Sequence, residues 1–289
     1  MTVVRIFESL AILLKVGEEP AIEFEDFVPA AQRTVQGNDD IWLLDGARTS
    51  RFTFDPAPDM RPVWSPDGTR IAFTSTRTGA GDLYQKLTSG AGTEELLVTS
   101  DQLKNAYSWS PDGHFLLFNS SDAQTNTDLW VVPIVGNRAP SVFLKTPFRE
   151  INGVFSPDGR WVAYMSNESG RQEIYVRPFA GTSAAGGQSQ VSTAGGAFPV
   201  WRHDGKELYY LNPVGAMMAV PITIIGATVE PGMPLQLFPT QIAGGGREAQ
   251  QGRQYDVAVD GRFLINVVAA GAPTVPITLL MNWNPAVKK

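Results

Sequence analysis

Val154-Phe155-Ser156-Pro157-Asp158-Gly159, followed closely by the apolar run Trp161-Val162-Ala163-Tyr164, is the stretch on which the fold turns. An apolar strand, a Pro-Asp-Gly turn and a second apolar strand make a hairpin. Pro presets φ, Asp caps the turn and Gly accepts a positive φ. The unit recurs. Val63-Trp64-Ser65-Pro66-Asp67-Gly68 precedes Ile71-Ala72-Phe73, and Ser108-Trp109-Ser110-Pro111-Asp112-Gly113 precedes Phe115-Leu116-Leu117-Phe118. A fourth copy decays to Val200-Trp201-Arg202-His203-Asp204-Gly205 and a fifth to Val257-Ala258-Val259-Asp260-Gly261. Successive Asp-Gly pairs are 45, 46, 46 and 56 residues apart. A second register runs with the first: Asp82-Leu83-Tyr84, Asp128-Leu129-Trp130 and Glu173-Ile174-Tyr175 begin 15, 16 and 15 residues beyond the turn aspartates. A strand-built repeat with a period in the forties is the signature of a β-propeller blade.

Counting the units predicts the architecture. Residues 62–99, 105–146, 151–192 and 198–239 make four complete blades, and 254–283 supply three strands, Gln254–Ala258, Arg262–Ala269 and Pro276–Trp283. Asp40–Asp45 and Arg51–Asp55 read as the third and fourth strands of another blade that lacks its own Ser-Pro-Asp-Gly hairpin. Thr2–Leu14 and Ala21–Val28 are β-capable, so they can supply inner strands, or one can close the last blade; an amphipathic helix over residues 3–14 is the alternative. The expectation is an all-β, single-domain protein over 1–289. It is a six-bladed β-propeller of four-stranded blades, with an atypical segment at 1–38 and repeats over 39–283. N- and C-terminal strands would close the ring, because an open one exposes sheet edges.

Composition narrows the function. A net charge of −6 with scattered basic residues argues against a nucleic-acid groove. The absence of cysteine excludes disulfides, thiolate metal sites and thiol nucleophiles. Arg5, Glu8 and Lys15 interrupt the apolar run at Ile12-Leu13-Leu14, so neither a signal peptide nor a membrane span is expected there. There is no Gly-x-Ser-x-Gly elbow and no His-x-x-x-His or His-x-x-Glu-His pair. His114 and His203 adjoin Asp-Gly turns, away from a central channel.

In a propeller the first strand of each blade lines that channel. Arg61, Asn105, Tyr107, Glu150, Asn152, Phe198, Arg253 and Tyr255 are therefore the predicted ligand-binding set at one mouth. Arg61 and Arg253 would donate to a carboxylate, with Phe198 and Tyr255 as stacking faces. The bland alternative is a water-filled channel with a satisfied polar lining. The repeated acids Asp40, Asp82, Asp128 and Glu173 read as caps of strand ends, because repetition marks structure.

The repeats resemble those of TolB-type propellers, the WD-repeat-like β-propellers of bacteria. From Asp39 onward the chain is similar, more narrowly, to propeller regions C-terminal to bacterial membrane serine/threonine kinases. The likeness is carried by Asp40–Asp45, Phe52–Pro56, Pro62–Gly68, Phe155–Gly159, Trp161–Tyr164, Ser166–Gly170, Glu173–Phe179, Asp204–Leu208 and Asn282-Trp283. Residues 1–38 lie outside it. No Gly-rich nucleotide loop, His-Arg-Asp loop or Asp-Phe-Gly occurs, so no kinase is read here. The motifs are specific to the propeller family and not to an activity, and the resemblance implies an extracytoplasmic bacterial setting. The channel residues themselves point to a non-catalytic binding or sensor propeller, expected to be monomeric and to need no cofactor. Its partner would be a protein, a peptide or a small anionic or polar ligand. The rival is a calcium-dependent hydrolase like the six-bladed lactonases and phosphotriesterases. Glu150, Asn152 and Asn105 are its only credible oxygen trio, and one carboxylate at that register favours binding.

Overall fold

A computed structural model describes residues 10–14, 30–35, 37–45, 48–181, 186–240, 242 and 253–267. Among these residues the chain forms six antiparallel sheets and no helix. Sheet one holds Ala30–Val35, Asn38–Asp45 and Arg48–Arg51. Sheet two holds Asp59–Trp64, Arg70–Ser75, Asp82–Leu87 and Glu95–Val98. Sheet three holds Lys104–Trp109, Phe115–Asp122, Asn126–Pro133 and Ser141–Leu144. Sheet four holds Glu150–Phe155, Trp161–Ser166, Glu173–Pro178 and Ser189–Gln190. In sheet five Ala197–Trp201 and Glu207–Leu211 lead into the long strand Ala216–Ile225, which pairs with both Thr228–Pro231 and Leu235–Pro239. Sheet six contains Tyr255–Val257, Phe263–Val267 and, from the other end of the chain, Leu10–Leu14.

The hairpins form for the reasons their residues give. Ser65 Oγ donates to Asp67 Oδ1 at 2.6 Å, and the same oxygen accepts the Thr69 N–H at 3.0 Å. Gly68, at φ 69°, closes the turn with a 2.9 Å bond from its N–H to the Ser65 carbonyl. The Ser65 hydroxyl then accepts the Arg70 N–H at the start of the next strand. Ser110-Pro111-Asp112-Gly113 and Ser156-Pro157-Asp158-Gly159 repeat these bonds, with glycine φ of 74° and 71°. Hydrogen bonds from the Ser65 hydroxyl and from Thr69 hold the Asp67 carboxyl below its ordinary pKa, as a cap requires.

Aromatics ahead of the turns join one sheet to the next. Trp64, Trp109, Phe155 and Trp201 are buried at one register. Trp109 Nε1 donates to the Val63 carbonyl at 3.1 Å and Trp201 Nε1 to the Val154 carbonyl at 3.4 Å. Each bond runs from one first strand to the first strand of the preceding sheet. First strands of sheets two to six are thus neighbours in chain order.

Several expectations change here. Leu10–Leu14 is a strand rather than part of a helix over residues 3–14, and it takes up the free edge of Phe263–Val267. The strand read at Arg51–Asp55 is displaced to Arg48–Arg51. Phe52 N–H and Thr53 N–H turn back instead onto the Ile41 carbonyl. Asp40–Asp45 is a middle strand, and Ala30–Val35 is the hairpin partner that no motif announced. Ala21–Val28 and Pro276–Trp283 lie outside the described residues.

Candidate functional site

The first strands of sheets two, four and five break register with their neighbours at one place, after Met60, Ile151 and Ala197. The residues at the break are Arg61, Asn152 and Phe198, with φ of 53°, 52° and 57°. A non-glycine residue in the left-handed region costs about 1–3 kcal/mol and persists only where its surroundings over-determine it. In sheet three the extra residue is Tyr107, skipped between the pairs Ala106 with Phe118 and Ser108 with Leu117. A bulge re-aims its side chain. Half of the predicted ligand-binding set thus sits on one repeated bulge. A signal existed in the sequence: Pro62, Gly153 and Pro199 each follow a left-handed residue, and Pro or Gly inside a strand marks a bulge.

The bulges bring part of the set together. Tyr107 is half-buried, and the Asn152 backbone N–H bonds its hydroxyl. Burial raises that hydroxyl's pKa against the pull of two guanidiniums, Arg61 from sheet two and Arg149 from just before sheet four. Burial also lowers the pKa of Arg149; the Tyr107 oxygen opposes this and the Arg61 charge adds to it. Two partly buried cations and a phenol from three consecutive sheets therefore lie within electrostatic reach of one another. Arg149 was not among the predicted residues.

The remaining candidates are placed differently. Phe198 and Tyr255 are 2% and 0% exposed, so neither offers an open stacking face. Tyr255 Oη instead donates to the carbonyl of the left-handed Phe198 at 2.6 Å, fixing that bulge. The Asn152 amide donates to Met165 Sδ at 3.1 Å. Buried Asn105 gives its backbone N–H to Asn119 Oδ1. Arg253 Nη2 reaches Asp256 at 3.4 Å, while its buried Nε has no hydrogen-bond partner among the described residues. Glu150 is 1% exposed; Oε1 accepts from the Thr146 hydroxyl and Oε2 meets no donor among the described residues. Burial, with the Asp128 and Glu168 charges adding to it against the Thr146 hydrogen bonds, raises its pKa to about 7. Among the described residues no group of three or more His, Cys, Asp or Glu is arranged to hold a metal ion.

Of the acidic register, Asp82 and Glu173 accept backbone donors as capping predicts, whereas Asp128 takes the Thr125 hydroxyl and its Oδ1 has no hydrogen-bond partner among the described residues. Asp40 takes the Arg51 guanidinium at 2.8 Å. Asp82 takes the Lys104 ammonium at 2.9 Å and the Ser100 N–H at 3.2 Å. Glu173 takes the Gly195 N–H at 2.9 Å. His114 is exposed beside Asp112, and His203 is exposed in its turn. Two surface grooves of about 410 and 480 Å³ lie between successive hairpins. Trp109 walls one and Trp201 the other.

No family model matches the chain. It is 28% identical over 148 residues, half of its length, to tricorn protease homolog 1 of Streptomyces coelicolor, covering 14% of that protein. It is 30% identical over 102 residues, 34% of its length, to the Tol-Pal system protein TolB of Desulfosudis oleivorans, covering 22% of it. Among solved structures, the putative TolB of Agrobacterium tumefaciens aligns over 88% of this chain and 96% of its own, with a TM-score of 0.63 at 18% identity. The protein is thus an all-β propeller. Its sheets follow the TolB type, and the two curated relatives named, of each of which the chain spans less than a quarter, are bacterial.

Proposed function

We infer that this chain is a non-catalytic binding propeller that receives an anionic group of a protein or peptide partner at the inner ends of its first strands. One observation carries the reading: Arg61, on the first strand of sheet two, and Arg149, just ahead of the first strand of sheet four, put two guanidiniums beside Tyr107 at one partly desolvated place. A carboxylate entering there relieves their mutual repulsion and accepts bidentate, charge-assisted hydrogen bonds. Arg and Tyr are also the side chains that dominate binding hot spots. The relatives named as Tol-Pal system proteins support a role in binding over one in catalysis.

Six blades belong to this reading. Six sheets succeed one another with adjacent first strands, and Leu10–Leu14 in sheet six supplies the join that would close a ring between sheets six and one. The likeness to kinase-linked propellers and an extracytoplasmic, monomeric state belong to it as well.

The test is an array of peptides, each made with a free and an amidated C-terminus, some carrying Asp or Glu. Binders should lose about tenfold or more in affinity to the Arg61→Ala and Arg149→Ala variants, as loss of a charged hydrogen bond predicts. Binding indifferent to amidation, to acidic residues and to both variants would end the proposal.

A further inference from the structure

Lys104 and Glu150 occupy the same place in the repeat, the first residue of a six-residue first strand. Each comes up to the acidic residue of the preceding sheet's third strand. Between sheets two and three that neighbour is Asp82, and Lys104 Nζ bonds it at 2.9 Å along with the Gly81, Ser100 and Gln102 carbonyls. Between sheets three and four the neighbour is Asp128, and the residue facing it is a carboxylic acid. The backbones are drawn together there by the parallel bridge from Thr127 to Arg149. Both acids are buried, at 0% and 1% exposure. Each keeps one oxygen, Asp128 Oδ1 and Glu150 Oε2, without a hydrogen-bond donor among the described residues. Their other oxygens are served by the Thr125 and Thr146 hydroxyls.

Two buried carboxylates with donorless oxygens cannot both carry charge without a large cost. We propose that the Asp128–Glu150 pair retains one proton in the folded protein near neutral pH, and that this proton does at this junction what the Lys104 ammonium does at the one before. The surroundings offer no cheaper remedy. Lys145 Nζ is 3.7 Å from Asp128 Oδ2 but is bonded to Asp122 at 2.8 Å on the exposed side. Glu168 adds a further negative charge near Glu150, Tyr164 has its hydroxyl engaged by Gln188, and Arg149 turns to the Arg61 and Tyr107 cluster.

The consequence is a junction that loosens as pH rises. Glu150 has its pKa raised from 4.5 to about 7, so between those values the folded chain binds more protons than the unfolded one. Stability from this group is full below the lower value, falls as pH climbs through the window and is lost above the upper one. The full window corresponds to about two orders of magnitude in the folding constant.

Urea unfolding of the whole chain should be followed at about pH 5 and about pH 8 for the natural protein, Glu150→Gln and Glu150→Lys. Glu150→Gln should remove at least about tenfold of the loss in folding constant, and Glu150→Lys, recreating the Lys104 arrangement, should be the more stable at the higher pH. Parallel profiles for the natural protein and Glu150→Gln would overturn the proposal. If a variant fails to fold, 13C NMR of glutamate carboxyls in the natural protein decides. Every glutamate, and in the matching aspartate spectrum every aspartate, titrating below about 5 refutes retention of the proton, and one carboxyl titrating near 7 supports it. A gain in stability on adding calcium or sodium, absent from Glu150→Gln, would place a metal ion rather than a proton in the pair and also overturn it.

Discussion

The junction between sheets two and three and the junction between sheets three and four share one backbone register, yet the residue that meets the third-strand acid is a cation, Lys104, in the first and a second acid, Glu150, in the other. The first buries an ammonium against a carboxylate, with three backbone carbonyls completing the Lys104 donors. The second buries two acids, each with one oxygen that lacks a donor among the described residues. The hairpins above them are the same Ser-Pro-Asp-Gly turn with the same bonds. What differs is therefore local to the seam between sheets: a repeat can hold its backbone fixed while each seam acquires its own chemistry.

The largest break in that comparison should come from Lys104→Ala. Removing one partner of a buried ion pair leaves Asp82 uncompensated, so denaturant unfolding should show a loss of about 3–5 kcal/mol. Next come the turns shared by both sides. Gly113→Val and Gly159→Val force a branched residue to φ of 74° and 71°. Each should cost about 1–3 kcal/mol by thermal or urea unfolding, and near-equal costs would show that the two hairpins are equivalent. Asp112→Asn and Asp158→Asn should be milder, within about 0.5 kcal/mol, because Asn caps the same turn; loss of ligand binding with the fold intact would refute the structural role given to these aspartates. The smallest effect on stability belongs to Arg149→Ala. It should leave the unfolding midpoint nearly unchanged while lowering affinity for a carboxylate-bearing peptide, measured by isothermal titration. Against the hydrolase alternative, turnover of generic esters and phosphotriesters should stay at background whether or not calcium or a chelator is present.

Much of this was readable because turn chemistry and alternation are local. Ser, Pro, Asp and Gly at fixed offsets specify a hairpin without help from the rest of the chain, so sheets two to five and their buried aromatics followed from the sequence. Sheet one was only half legible: Asn38–Asp45 carries the acid-aliphatic-aromatic step, but Ala30–Val35 becomes a strand by pairing with it and bears no motif of its own. The candidate site was legible by register and illegible by environment. Counting along first strands found Arg61, Tyr107, Asn152 and Phe198. It could not tell that Phe198 and Tyr255 are consumed by the core, or that Arg149 comes up beside Arg61, since both depend on how sheets pack. The reversal from Lys104 to Glu150 was visible in aligned copies, but its meaning needed the burial of Asp128.

The pairing of Leu10–Leu14 with Phe263–Val267 bears on how the chain is made. Sheets two to five are each built from a continuous stretch and can assemble in order as they leave the ribosome. Sheet six cannot, because its edge strand is synthesised some 250 residues ahead of its partner. At a synthesis rate of about 5–20 residues per second, that early strand waits on the order of ten seconds or more with its backbone donors unmatched. During that wait the early strand is open to wrong pairing, and sheet six can be completed only after Phe263–Val267 has been made.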